Sequence, residues 1–227
     1  MRADEHIGIA MVEELVDTTT VRPVRKLDLN KAAKPLTYVL LKRLADISIA
    51  LVALAISLPL MVIVSIAIKI ESKGPVLYKQ TRLGKNGLPF TMVKFRSMYV
   101  NAEAEGPRWA SDGDDRITKV GSFLRKTRID EFPQFFQVVT GKMSLVGPRP
   151  ERPEFYEAFE QYIPGFKQRL FVKPGITGLA QVNGGYLLLP EQKVSYDLEY
   201  IEDATLYLDL KIIFSTVKIL FSHEGAR

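Results

Sequence analysis

Residues 46–70 read DISIALVALAISLPLMVIVSIAIKI. Between Asp46 and Lys69 lie 22 residues without a charge, enough for a helix to reach across the hydrocarbon of a bilayer. A soluble core helix keeps polar positions on one face, whereas this segment is apolar all round. It is a membrane segment, and the fold has to be built around it. Whether it crosses is a separate matter. Pro59 falls near its middle with Ser57 two residues before it, a place where a helix bends and a hydroxyl takes up freed backbone groups. Lys42 and Arg43 precede the segment, and Lys69, Lys73, Lys79 and Arg82 follow it. Positive charge on both flanks favours both ends in the cytoplasm. A helix that enters, breaks at Ser57–Pro59 and returns satisfies this; a kinked span with basic residues on both sides is the alternative.

Composition narrows the chemistry. The 227 residues are 47% hydrophobic and 25% charged, a globular balance with a mean hydropathy of +0.03. There is no cysteine, hence no disulfide framework, thiolate nucleophile or cysteine-ligated metal. His6 and His223 stand at the two ends, which argues against a Ser-His-Asp site or a histidine zinc site. Acid, base or nucleophilic work therefore falls to Asp, Glu, Lys, Tyr, Ser or Thr. A net charge of +5 and a pI near 9.3 suit an anionic partner: nucleic acid, a phosphorylated metabolite or a membrane surface.

Along the chain, residues 1–36 read as a mobile basic arm with a short helix around Glu13–Val16. The membrane helix occupies 37–72, a polar globular domain 73–199, and a C-terminal amphipathic helix and tail 200–227. PFTMVKFRSM (89–98) alternates as a strand, with Lys94 and Arg96 on one face and Val93 and Phe95 on the other. VNAEAEGPRW (100–109) reads as a short helix ended by Gly106-Pro107, and KVGSFLRK (119–126) as a helix with Val120, Phe123 and Leu124 inward. DEFPQFFQVVTG (130–141) is expected to be helical, with Asp130 as N-cap, Pro133 in the first turn and Gly141 at the end. GPRPERP and KPGITGLAQVNGG are expected loops, and YIEDATLYLDLKIIFSTVKILF (200–221) one helix.

Two groups of residues could carry chemistry. In RKTRIDEFPQFF (125–136), Asp130 and Glu131 are adjacent. Neighbours on a helix point about 100° apart, so the two cannot share a proton as a side-by-side dyad. At a helix start with Arg125 and Arg128 near, at least one stays ionised, as a nucleophile or a magnesium ligand. The plain alternative is a capping Asp with a Glu favoured by the helix dipole. The second group is cationic: Lys94, Arg96, Arg125, Arg128, Arg149 and Arg152. Each alone is an ordinary surface charge. Pro148 and Pro150 stiffen the backbone around Arg149, lowering the entropy lost when its guanidinium grips a phosphate. The glycine loop lacks a Lys-Ser/Thr ending and is no P-loop. It is either a tight packing turn or a ligand loop. No nucleic-acid reader motif is present.

GPVLYKQTRLGKNGLPFTMVKFRSM (74–98), DDRITKVGSFLRKTRIDEFPQFFQVVTGKMSLVGPRPE (114–151) and KPGITGLAQVNGG (173–185) together resemble the bacterial sugar transferases, monotopic polyprenyl-phosphate phosphoglycosyl transferases. The resemblance runs from about Leu41 to Phe221. It implies an α+β, mainly helical fold: a compact monotopic membrane-associated catalytic domain with a re-entrant membrane helix hairpin and amphipathic interfacial helices. Larger members carry extra membrane helices ahead of this module, and with only an arm before it the sequence reads as a standalone unit.

The implied reaction moves a sugar-1-phosphate from a UDP-sugar to undecaprenyl phosphate on the cytoplasmic face of the bacterial inner membrane. It needs Mg2+ and releases UMP, and it initiates exopolysaccharide, capsule, O-antigen or glycoconjugate synthesis. Downstream glycosyltransferases are expected partners; nucleic acid is not. By resemblance Asp130 is the nucleophile that forms an aspartyl phosphosugar. Glu131 assists by holding the metal with Asp130, or by orienting or deprotonating the acceptor. Lys94, Arg96, Arg125 and Arg149, with Pro148 and Pro150, match positions assigned to diphosphate and nucleotide contact, and Ser57 and Pro59 match the membrane break with one residue inserted. Small polar residues are usual at position 128, so no role is carried to Arg128. A non-catalytic scaffold of a polysaccharide-assembly complex is the alternative function. The donor sugar and the oligomeric state are encoded in no pattern of the sequence.

Overall fold

The computed structural model describes residues 23–102, 114–185 and 188–222. The helix expected around Glu13–Val16 and most of the one expected over 100–109 lie outside these residues. From residue 23 onward the arm is hydrogen-bonded to the folded body. Val24 N donates to Pro164 O at 3.2 Å, Leu27 N to Gln168 Oε1 at 2.6 Å, and Arg25 pairs with Glu202 at 2.6 Å. A short helix α1, Leu29–Ala32, follows, started by Asp28, whose side chain accepts from Asn30 N and Lys31 N.

The membrane segment forms α2, Leu36–Glu71, 36 residues long. It runs as one helix through Ser57, Leu58 and Pro59, so the interruption expected there is not one of secondary structure. Ser57 Oγ donates to Leu54 O at 3.4 Å, one turn back, beside the backbone carbonyl that the proline leaves without a donor. Both flanks of α2 are tied to the rest of the protein. Near its start, Arg43 donates to Val138 O and Val139 O at 2.6 and 2.8 Å. Asp46 accepts from Ser144 Oγ at 2.8 Å and Leu145 N at 3.2 Å. At its end, Glu71 accepts from Lys119 N and Val120 N at 2.7 and 3.0 Å.

Strands β1 (Leu77–Leu83) and β2 (Pro89–Phe95) form an antiparallel hairpin in which Tyr78 faces Lys94. The connecting residues Asn86 and Gly87 both take positive φ, 59° and 74°, which the GKNG sequence supplies at low steric cost. Next come α3 (Lys119–Thr127), a 3-10 turn at Ile129–Glu131, and α4 (Gln134–Val139). Thr118 Oγ1 accepts from Gly121 N at the start of α3. Gly121 lets α3 approach the strand exit, since a Cβ there would lie 1.9 Å from Ser97 O. Leu124 is buried as expected, but Phe123 is 58% exposed. The inward stripe of α3 is therefore narrower than the sequence suggested.

β3 (Ser144–Val146) pairs in parallel with β4 (Gly175–Thr177). α5 (Pro153–Tyr162) and a 3-10 segment Phe166–Phe171 lie between them. The glycine-rich stretch is thus not all loop: it contributes β4 and a one-turn helix α6, Leu179–Val182. The single C-terminal helix expected from the sequence is two: α7 (Pro190–Asp203), crossing the 199/200 boundary, and α8 (Leu206–Ser222). Thr205 restarts the chain, its Oγ1 accepting from Leu208 N at 3.1 Å. One buried core joins β3, α5 and α7 through Met143, Val146, Tyr156, Phe159, Val194 and Leu198. A second, smaller core sets Val64 and Ile68 of α2 against Phe95, Leu124 and Ile129. That second core is the floor on which Asp130 and Glu131 rest.

Candidate active site

Asp130 and Glu131 are presented by a reversal of the chain. At the C-terminal end of α3, Arg128 takes the left-handed conformation (φ 56°, ψ 17°), where a residue with a Cβ is uncommon. Ile129 then turns inward to the second core and the 3-10 turn begins. Asp130 is therefore not the N-cap of α4; Pro133 occupies that position, with no side-chain cap. The carboxylates lie one turn earlier, in a tight turn whose inner side is apolar.

The two carboxyls differ sharply. Glu131 Oε1 is 3.0 Å from Lys94 Nζ and 2.6 Å from Arg149 Nη2, and its side chain is 11% exposed. Burial alone would push its pKa up, but the Arg149 and Lys94 charges and hydrogen bonds more than offset this and hold it well below the carboxylate range. Asp130 is 8% exposed, and burial pushes its pKa up to about 6. Lys94, Arg149 and Arg125 pull it down, and the negative charge of Glu131 adds to the rise. The result is one carboxylate whose ionised form is favoured by two cations, beside a second whose protonated form is favoured by burial.

The supports of these cations explain their placement. Gln137 of α4 donates from Nε2 to Thr91 O and accepts from Val93 N at 3.2 Å, joining the helix to β2 just before Lys94. Arg149 stands on a segment whose three consecutive carbonyls are all held. Pro148 O accepts from Gly175 N at 2.9 Å, Arg149 O from Arg169 Nη2 at 3.0 Å, and Pro150 O from Arg82 Nη1 at 3.3 Å. The glycine loop serves this packing. A Cβ on Gly175 would lie 2.2 Å from Gly147 N, and one on Gly178 2.3 Å from Gly147 O, so the backbones touch only because side chains are absent.

Of the residues singled out in the sequence, Lys94 and Arg149 meet Glu131, and Pro148 and Pro150 frame Arg149. Arg125 is half-buried and makes no side-chain hydrogen bond or ion pair among the described residues, yet its charge is felt at Asp130. Arg96 is directed elsewhere. Its guanidinium donates to Lys73 O at 2.7 Å and to Ser72 O and Oγ at 2.9 Å, closing the end of α2. Arg169 and Asp197, both 2% exposed and paired at 2.6 Å, escaped the sequence reading. Arg169 also lies over the rings of Phe166 and Tyr156 at 4.7 and 5.9 Å. The signal was present: Asp197 falls on the inward face of α7 with Val194, Leu198 and Ile201, where an unpaired charge is not tolerated. Among the described residues no set of three or more His, Cys, Asp or Glu side chains converges.

Residues 37–223 match the family described as "Bacterial sugar transferase". The chain belongs to that family. Among curated sugar transferases it is 41% identical over 229 residues to the UDP-N-acetylgalactosamine-undecaprenyl-phosphate N-acetylgalactosaminephosphotransferase of Aeromonas hydrophila, covering 98% of this chain and 54% of that protein. It is 45% identical over 192 residues to the UDP-glucose:undecaprenyl-phosphate glucose-1-phosphate transferase of Escherichia coli (strain K12), covering 82% and 41% respectively. It is 52% identical over 137 residues to the putative undecaprenyl-phosphate N-acetylgalactosaminyl 1-phosphate transferase of Bacillus subtilis (strain 168), covering 60% and 76%. The chain spans about half the length of the first two of these transferases.

Proposed function

We propose that this chain moves a sugar-1-phosphate from a UDP-sugar to undecaprenyl phosphate through a covalent intermediate on Asp130. The observation that carries the reading is the Glu131–Lys94–Arg149 cluster set against a buried carboxyl. The substrates named for its relatives are anionic diphosphates and lipid phosphates, which such cations bind.

In the first step an ionised Asp130 oxygen attacks the β-phosphorus of the UDP-sugar. The bond from that phosphorus to the bridging oxygen breaks, and UMP leaves with the electron pair. In the second step an oxygen of undecaprenyl phosphate attacks the same phosphorus and the aspartyl oxygen departs, regenerating the carboxylate. Lys94 and Arg149, held ready by Glu131, neutralise charge on the transferring phosphoryl group. Of the roles open to Glu131, positioning is favoured over deprotonation, because a carboxylate with so low a pKa is a weak base.

Two adjacent hard carboxylates fit Mg2+, which binds through one or two carboxylates and substrate phosphates. Asp130 and Glu131 would hold it, beside the Lys94 and Arg149 cations that meet Glu131 Oε1. When bound it supplies charge neutralisation at the diphosphate.

For the membrane, a re-entrant α2 on the cytoplasmic face fits best. Arg43 and Asp46 at one flank and Glu71 at the other are bonded to the same folded body, and one body cannot sit on both sides of a bilayer. α8 leaves Tyr207, Leu210, Phe214 and Val217 exposed along one stripe, and Lys42 ties it to the start of α2 through Asp209 at 2.9 Å. That stripe suits the headgroup boundary.

The test supplies undecaprenyl phosphate, Mg2+ and either UDP-glucose or UDP-N-acetylgalactosamine, and follows UMP release and intact protein mass. Expected are turnover with one donor, a hexose-phosphate adduct on Asp130, and loss of both in Asp130→Asn. Wild-type turnover in Asp130→Asn would overturn the reading.

A further inference from the structure

α4 carries two buried glutamines one turn apart, and they are used differently. Gln137 has its amide filled by the backbone of β2, donating to Thr91 O and accepting from Val93 N. Gln134 is 2% exposed, and its Nε2 has no hydrogen-bond partner. A buried donor without an acceptor is unfavourable and uncommon in folded proteins. Here it occurs at a telling place. The backbone is helical from the 3-10 turn through Phe132 (φ −55°, ψ −36°) and Pro133 (φ −58°, ψ −19°) into α4. Gln134 therefore follows Glu131 by three residues, the spacing at which side chains of a 3-10 turn line up, and Asp130 by four.

We propose that Gln134 is a substrate-contacting residue whose side-chain amide donates to an oxygen of the phosphoryl group being transferred at Asp130. The acceptor it lacks is then brought by the substrate. An amide suits this position better than another cation. It adds a directed donor without lowering the pKa of a nucleophile that Lys94, Arg149 and Arg125 already influence. The inference rests on Asp130 being the attacking group.

Two substitutions test it: Gln134→Met, similar in length with no donor, and Gln134→Glu, the same shape with the donor replaced by an acceptor. The readouts are kcat and KM with whichever of UDP-glucose or UDP-N-acetylgalactosamine the wild type uses, the amount of covalent adduct, and the thermal unfolding midpoint. Expected for Gln134→Met is a fall in kcat of at least tenfold with a midpoint equal to or above that of the wild type, because an unsatisfied buried donor has been removed. Gln134→Glu should fall further. Retention of kcat within twofold by Gln134→Met overturns the assignment, as does a parallel loss of midpoint and kcat, the mark of a purely structural residue. A wild type that forms adduct while Gln134→Met matches it removes only this inference. A wild type that forms none removes the transfer reading and this one together.

Discussion

At the scale of single residues, burial and charge set the two neighbouring carboxyls apart. Asp130 has a folded-state pKa near 6, above the ordinary 3.8. The folded protein therefore binds that proton more tightly than the unfolded chain between these values. Its contribution to stability is full below pH 4, declines as pH rises through 6, and stays low above it. Asp130→Asn should unfold at pH 7.5 no earlier than the wild type and lose this pH dependence while abolishing turnover; thermal melts across pH 4–8 check it. An earlier midpoint would mean that the ionised carboxylate is a net support of the fold. Part of this scale was legible in the sequence: Lys94 and Arg149, two of the cations it singled out, do meet Glu131. Arg96 was not legible, because alternation along β2 gives a face and says nothing of the Ser72 and Lys73 carbonyls waiting at the end of α2. The Asp130 cap was misplaced by one turn, since nothing in the TRIDE letters announces a left-handed arginine.

At the scale of elements, the Asp197–Arg169 pair is the support for the segment bearing Arg149. Breaking it on one side leaves a buried charge, so Arg169→Met alone should lower stability by about 3–5 kcal/mol in denaturant unfolding. The double variant Arg169→Met/Asp197→Leu should regain most of that loss. Its kcat should stay depressed at least tenfold, since Arg149 O has lost its donor. A double variant with restored stability and full turnover would show that the pair only fills the core. Longer elements were legible here and short ones were not. α2 and α3 follow from hydrophobic pattern, whereas β3 and β4 are three residues each, too short for alternation to speak. The break between α7 and α8 at Ala204 and Thr205 is invisible for a related reason: apolar positions continue on both sides of it.

At the scale of the whole molecule, the cysteine-free sequence allows topology to be read with single introduced thiols. Lys26 lies in the docked arm before α2 and Lys126 at the end of α3 beyond it, and both are exposed. In sealed vesicles Lys26→Cys and Lys126→Cys should react with a membrane-impermeant maleimide from the same side. Reaction from opposite sides would establish a crossing helix and remove the re-entrant reading. The membrane character of α2 was plain from composition, and its two-ended attachment was not, because Asp46 and Glu71 find partners 98 and 48 residues away.

The three held carbonyls of residues 148–150 carry a consequence for how such a transferase diversifies. A post fixed at three successive points has little slack, so under the proposed function Arg149 would meet a diphosphate in one geometry whatever sugar is attached. Under the same reading, donor preference would be written in segments that touch the sugar and leave this post alone. A chimera seeking a new donor should graft those segments and leave residues 147–151 as they are.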